Sequence, residues 1–266
     1  MSKMGKAGII LASPKRRPRF TLIIPTLNSA SRISGTIDSL NRQMDCDLEL
    51  VIIDAGSQDP TIDFVRRGYC GSVKVYSVRE YSMFEMANRG ISLATGEYIS
   101  ILLPGDSYIS AETLSMVGQA AQERDLPDLI YCGCLIREVD AEPRILLEPF
   151  DVASLRKGML PTSIQSCWFS RASLKRLGKF DTNFRVAAGY ELLCRMAVAG
   201  GFKVARLERI FVDLDRRSLP PSISVRRSFE THFILKRYFG WGAAIRYWAG
   251  QHPLHLIKLW WKTRDR

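Results

Sequence analysis

Several side chains able to bind a phosphorylated ligand stand where apolar runs stop. "FTLIIP" is closed by Pro25 and followed by Thr26 and Asn28. "LELVIID" ends on Asp54, with Ser57 three residues on. "ILLPG" delivers a lone acid, Asp106. Taken alone, Asp106 reads as a turn or cap residue, and Asp54 as a strand-end Asx turn. Taken together they read differently. Asp106 becomes a candidate to hold a divalent cation against a phosphate, because hard cations take carboxylate oxygens and share substrate phosphates. Asp54, ahead of "AGSQD", becomes a candidate nucleotide contact.

Such residues act together only if the fold brings the ends of their runs to one edge. Short continuous apolar runs bounded by turn residues read as buried parallel strands. Four occur in the first half: Phe20–Asn28, the run ending at Asp54, "VKVYSV" (Val73–Val78) and "EYISILLP". Helical spacing lies between them: Ile33, Ile37, Leu40 and Met44, then Ile62 and Val65, then "MFEMANRGISLA" (Met83–Ala94), which Gly96 breaks. Ser29 and Ser31 are cap candidates for the first helix. Alternating strand and helix predict an α/β fold with a parallel, doubly wound sheet, and ligands of such sheets gather beyond the carboxyl ends of the strands. Pro25, Thr26, Asn28, Asp54, Ser57 and Asp106 all fall at those ends.

The second half is less regular. Ala111–Glu123 and "YELLCRMAVAGG" (Tyr190–Gly201) read as helices, the latter stopped by Gly200-Gly201. "DLIYCGCLIRE" reads as a strand and "FKVARLERIFVDL" as one strand or two. Beyond Pro220-Pro221 lies a basic stretch with four of the five tryptophans.

The 266 residues suffice for one sizeable core. The net charge of +11 sits at the ends. Residues 1–19 hold six Lys/Arg and no acid (+6), and residues 226–266 hold nine against Glu230 and Asp265 (+7), which leaves −2 for the centre. That distribution argues against a nucleic-acid-binding core and for basic tails near an anionic surface. Leu254, Ile257 and Trp261 share one helical face, and His255, Lys258 and Lys262 another, a pattern suited to a membrane interface. The plain alternative packs these aromatics on the core or on a second subunit, as in a homodimer. The six cysteines show no CxxC spacing, which fits buried thiols in a reducing compartment. The apolar stretch Gly8–Ala12 is too short for a signal-peptide core, so a cytoplasmic location is expected, with peripheral contact at the inner face of the cell membrane.

"LIIPTLN", "LVIIDAGSQDPT", "MANRGISLATGEYISILLPGD" and "NFRVAAGYELLCRMAVAGG" resemble, in order and spacing, the motifs of a family 2 glycosyltransferase with the GT-A fold. The branch it resembles makes bacterial surface polysaccharides. The resemblance covers about residues 20–215. It implies a GT-A domain there, with 20–106 as its nucleotide-binding half and 107–215 as its acceptor half. Residues 1–19 are then a basic tail and 216–266 a basic, aromatic helical extension. It implies an inverting transfer of sugar from a nucleotide-diphosphate donor to an acceptor hydroxyl, on a saccharide or lipid-linked acceptor. Pro25, Thr26 and Asn28 would line the nucleotide pocket, Asp54 would touch base or ribose, and Asn88 would support the nucleotide loop. Asn88 equally reads as a residue fixing the Arg89-Gly90 backbone. Asp106 would hold Mg²⁺ or Mn²⁺.

The chain departs from the family pattern in three places. Asp106 lacks neighbouring acids, so metal would bind weakly and with the donor's help. Gly189 stands where the catalytic base is expected. Glu191, two residues on, is the substitute base, although two residues are roughly 200° of helix rotation. Leu27 stands where an aromatic often stacks. These departures raise a rival from another class: a nucleotide-sugar-binding partner of another transferase, itself without turnover.

Overall fold

The computed structural model describes residues 19–79, 82–139, 141–218 and 220–250. Residues 1–18 and 251–266, the latter with the amphipathic pattern of Leu254–Lys262, lie outside the described residues. The four apolar runs of the first half are strands β1 (Arg19–Thr26), β2 (Asp47–Asp54), β3 (Val73–Ser77) and β4 (Tyr98–Ile101). They pair in parallel in the order β3-β2-β1-β4. The continuous apolarity of β1, β4 and most of β2 follows from burial on both faces, whereas the edge strand β3 is only partly buried. Leu22, Ile24, Leu50 and Ile52 face one core with Ile33, Ile37 and Leu40 of α1 (Ala30–Asn41) and Val65 of α2 (Thr61–Gly68). Ile23, Val51 and Ile53 face the other, with Phe84, Met86 and Ala87 of α3 (Met83–Leu93). Met44 falls three residues beyond the end of α1 and is exposed, so the helical pattern overruns the helix in sequence. Ser29 precedes α1 but does not cap it: its hydroxyl donates to Leu27 O, and Asp59 accepts the Ala30 N–H instead.

The chain enters β4 through Gly96. A Cβ there would stand 2.6 Å from the Thr21 backbone nitrogen, so only glycine passes this close to β1. Beside it lies a buried acid, Glu49, on β2. Its carboxylate accepts from the Thr21 hydroxyl at 2.5 Å, the Thr95 N–H at 2.9 Å and Lys74 Nζ at 2.7 Å. Burial pushes this carboxyl up, but Lys74, Thr21 and Thr95 more than offset it and hold it down to about 2. The stabilisation is present above the ordinary carboxylate pKa near 4.5 and is lost as pH falls towards 2. It amounts to about 3 kcal/mol. Glu49→Gln is expected to remove much of it, so that urea midpoints of variant and parent converge between pH 7 and pH 3.

The second half adds β5 (Ser107–Tyr108), α4 (Thr113–Glu123), β6 (Leu129–Arg137), β7 (Arg144–Leu146), α5 (Val152–Leu155), β8 (Cys167–Ser170), α6 (Arg171–Leu177) and α7 (Ala188–Ala199). It closes with β9 (Val204–Asp215), α8 (Pro221–Phe239) and α9 (Trp241–Gly250). "FKVARLERIFVDL" is one strand, with an irregular register opposite Gly133. The sheet continues β4-β8-β6-β9-β5. β8 runs antiparallel to β4, and β6 antiparallel to β8, which restores the direction of β4; β9 is parallel to β6. The carboxyl ends of β1, β2, β4 and β9 therefore share one edge. Because β5 follows β4 within six residues yet pairs with β9, the sheet must curl.

α8 packs against α7, with Ile234 and Leu235 buried in the same cluster as Leu192 and Leu193. Among the described residues no helix is long and apolar enough to cross a membrane. Four cysteines are buried, whereas Cys70 is exposed.

Candidate functional site

The parallel register sets Thr26 beside Asp54, each the last residue of its strand. Asp54 is buried and gathers the loops that follow. Its Oδ1 accepts from the Thr26 hydroxyl at 3.0 Å and the Ser57 hydroxyl at 2.5 Å, and its Oδ2 from the N–H groups of Gly56 (3.1 Å) and Ser57 (2.9 Å). Ser57 Oγ in turn accepts the Asn28 N–H at 2.9 Å, and Asn28 Oδ1 accepts the Gln58 N–H at 2.8 Å. Asn28 holds the left-handed φ of 44° that this exchange demands, a conformation asparagine tolerates better than most residues. Pro25 lies inside β1 with Ile53 opposite. The fold thus brings Pro25, Thr26, Asn28, Asp54 and Ser57 into one rigid lip, with the side chains of Leu27 and Asn28 exposed on it.

The neighbouring strand β4 ends in the turn that carries Asp106. Gly105 has φ +99°, and its missing Cβ leaves room for Arg32, whose Nη2 would lie 2.6 Å away. Thr36 clamps the turn, accepting the Gly105 N–H and donating to Asp106 O. Asp106 is 0% exposed. Its Oδ1 accepts from Arg216 Nη1 at 2.6 Å and the Asp215 N–H at 3.3 Å. Its Oδ2 accepts from the Leu103 N–H at 3.2 Å and Arg216 Nη2 at 3.3 Å. Burial pushes this carboxyl up, and Arg216 pulls against it.

As placed, Asp106 does not present an open oxygen to a cation. A cation ligand must offer an open lone pair, and each oxygen here already takes two hydrogen bonds. No three His, Cys, Asp or Glu side chains converge to hold an ion among the described residues. The donor set as arranged does not fit Mg²⁺ or Mn²⁺; a guanidinium supplies the counter-charge. Sequence reasoning missed Arg216. Its only trace is a basic doublet directly past the last strand, and the link to Asp106 spans 110 residues.

Two other expected residues are engaged with partners of their own. Asn88 clasps the Phe180 peptide, donating to its carbonyl at 2.9 Å and accepting its N–H at 3.0 Å. It joins α3 to the segment ahead of α7, the backbone-fixing role that its side chain fills here. Glu191 is 1% exposed. Arg195 grips it one turn on, Nη2 to Oε2 at 2.7 Å and Nε to Oε1 at 3.1 Å, and the Tyr238 hydroxyl of α8 donates to Oε1. Both oxygens are engaged inside the α7–α8 packing, so Glu191 as placed is not poised to take an acceptor's proton. Gly189 is filled around: a Cβ there would meet Ile164 at 3.0 Å.

Comparison with known proteins agrees with this geometry. The family model "Glycosyl transferase family 2" matches residues 21–177. A "PGL/p-HBAD biosynthesis glycosyltransferase" of Mycobacterium bovis (strain BCG / Pasteur 1173P2) is 29% identical over 183 residues, covering 67% of this chain and 69% of the relative. Among solved structures, S. aureus TarS 1-349 in complex with UDP-GlcNAc superposes with TM-score 0.64 at 17% identity, over 87% of this chain and 73% of that one. The mannosyltransferase PcManGT of Pyrobaculum calidifontis, in complex with GDP-Man and Mn²⁺, superposes with TM-score 0.66 at 19% identity, over 92% and 74%. The curled α/β sheet is the GT-A fold of these neighbours. With its strand-end lip on that sheet and a family match over more than half its length, the chain belongs to glycosyl transferase family 2.

Proposed function

We propose that this glycosyltransferase moves a sugar, with inversion, from a nucleotide-diphosphate donor to an acceptor hydroxyl in the assembly of a surface polysaccharide or glycolipid. The observation that carries the reading is the lip at the carboxyl ends of β1 and β2, where Thr26, Asn28, Asp54 and Ser57 interlock. Pro25 stiffens its base, and Leu27 offers an apolar face to a nucleobase. Inversion requires the acceptor oxygen to approach the anomeric carbon opposite the departing diphosphate. The protein's part is then to hold both partners in line.

A lipid-linked acceptor and contact with a membrane surface belong to the same reading. Phe229, Phe233, Trp241 and Ile245 are exposed on α8 and α9, and Lys236 lies 3.9 Å over the Trp241 ring. Amphipathic surfaces of this kind suit an interface.

Thermal melting of the full chain against UDP-, GDP- and dTDP-linked compounds tests the reading. A donor at 100 times its Kd adds about 2.7 kcal/mol of stability, visible as a raised Tm. One nucleotide is expected to give that shift, and Asp54→Ala to abolish it. Product NMR with a β-anomer appearing from an α-linked donor checks inversion. Absence of any shift across the panel rejects the assignment.

A further inference from the structure

We propose that Arg216, with Arg32, supplies the positive charge for the donor's diphosphate, so that this chain binds nucleoside diphosphates without a divalent metal. The inference rests on the reading of the site as a nucleotide-sugar site. Arg216 emerges directly past β9, at the edge where β1 and β4 also end, and stands bidentate on Asp106. Arg32 lies on the first turn of α1, against Gly105 on the turn that carries Asp106. Its Nη2 donates to Asp215 O at 3.1 Å, the same carbonyl that Arg216 Nη1 reaches at 3.2 Å.

Two features favour an anion here. Arg32 Nε is buried without a hydrogen-bond partner among the described residues, a donor that a phosphate oxygen would satisfy. Immediately around Asp106 stand the guanidinium groups of Arg32, Arg216 and Arg217 with the carboxylates of Asp106 and Asp215, and the lip adds the carboxylate of Asp54. Planar guanidinium forks match phosphate oxygens as well as carboxylates, and Arg charge does not titrate away. Asp106 then serves as a positioning residue: it orients Arg216 and tempers its charge.

The test is calorimetric titration of UDP and GDP into the full chain, in EDTA and in Mn²⁺, with three proteins. Wild type is expected to bind one of the two equally in both buffers. Asp106→Asn releases the Arg216 charge and is expected to bind at least as tightly as wild type, again in EDTA. Arg216→Met alone strands a buried carboxylate, so the informative variant is Asp106→Asn with Arg216→Met, which keeps the charge balance. It is expected to bind at least tenfold more weakly while melting near wild type. Binding that EDTA abolishes and Mn²⁺ restores, or that Asp106→Asn destroys, overturns the inference and leaves the nucleotide reading standing. A double variant that binds like wild type also overturns it. Wild type that binds neither nucleotide in either buffer removes the donor reading and this inference with it.

Discussion

Glu191→Ala lowers the stability of the chain by about 3–5 kcal/mol, the usual loss when one partner of a buried ion pair is removed. The carboxylate is the hub of three elements. Arg195 holds it on α7 while donating to Leu177 O at 2.9 Å and Lys179 O at 2.8 Å beyond α6, and Tyr238 reaches it from α8. Its loss leaves a guanidinium and a phenol facing a void in a helix interface. A chain of this size then melts roughly 10 °C lower. Instability alone would not separate packing from chemistry. Glu191→Gln does, because the amide keeps the shape and an acceptor for Tyr238. A general base replaced by an amide forfeits about 10²–10⁴ in rate. A residue that positions α7 loses less than tenfold in kcat, with a measurable drop in Tm. The geometry predicts the second pattern, and a rate loss above 10² in a variant that melts like the parent would overturn it.

The same residue shows what was legible in the sequence. Strands β1, β2 and β4 were readable because they are buried on both faces and closed by Pro, Gly or Asp, and β3 because its apolar residues alternate with polar ones. Their parallel direction followed from the helices between them. From there the grouping of Thr26, Asn28, Asp54 and Ser57 needed no long-range information, since β1 and β2 are adjacent in chain and in space. Asp106, Asn88 and Glu191 were placed at the correct elements, but their partners were not visible. Arg216, Phe180 and Tyr238 lie 110, 92 and 47 residues away along the chain. A carboxylate at a strand end reads as open to ligand until the cation that closes on it is known. The family pattern adds a bias here, because it names the role of a position and not the local occupant of the space around it. The two-residue strand β5 was missed for a related reason: nothing in Ser107-Tyr108 announces that β9 will curl back to pair with it.

Glu230→Ala is expected to unlatch the loop ahead of α7, at a cost of about 3–5 kcal/mol. Glu230 sits on α8, yet its carboxylate accepts the N–H groups of Arg185 at 3.1 Å, Val186 at 2.8 Å and Ala187 at 2.8 Å, while Arg226 holds Oε1 at 2.8 Å. These donors belong to the loop and the N-cap residue ahead of α7, and a carboxylate there also meets the positive end of the α7 dipole. Nothing in α7 itself could do this, since Ala187 and Ala188 have no side-chain acceptor. Alanine at 230 strands three buried or half-buried N–H groups, each worth about 1–3 kcal/mol, with partial relief from water. Burial pushes the Glu230 carboxyl up, but Arg226 and the three N–H groups outweigh it and hold it below the usual range. Its contribution is therefore complete above the ordinary carboxylate pKa and disappears as pH falls through the lowered one. Urea melts from pH 7 downward should show Glu230→Gln less stable than the parent at pH 7 and converging on it as the pH falls. Amide exchange offers a sharper readout, with Arg185, Val186 and Ala187 losing protection in the variant before the strands do. Equal protection of those three amides in variant and parent would show that α7 begins without help from α8.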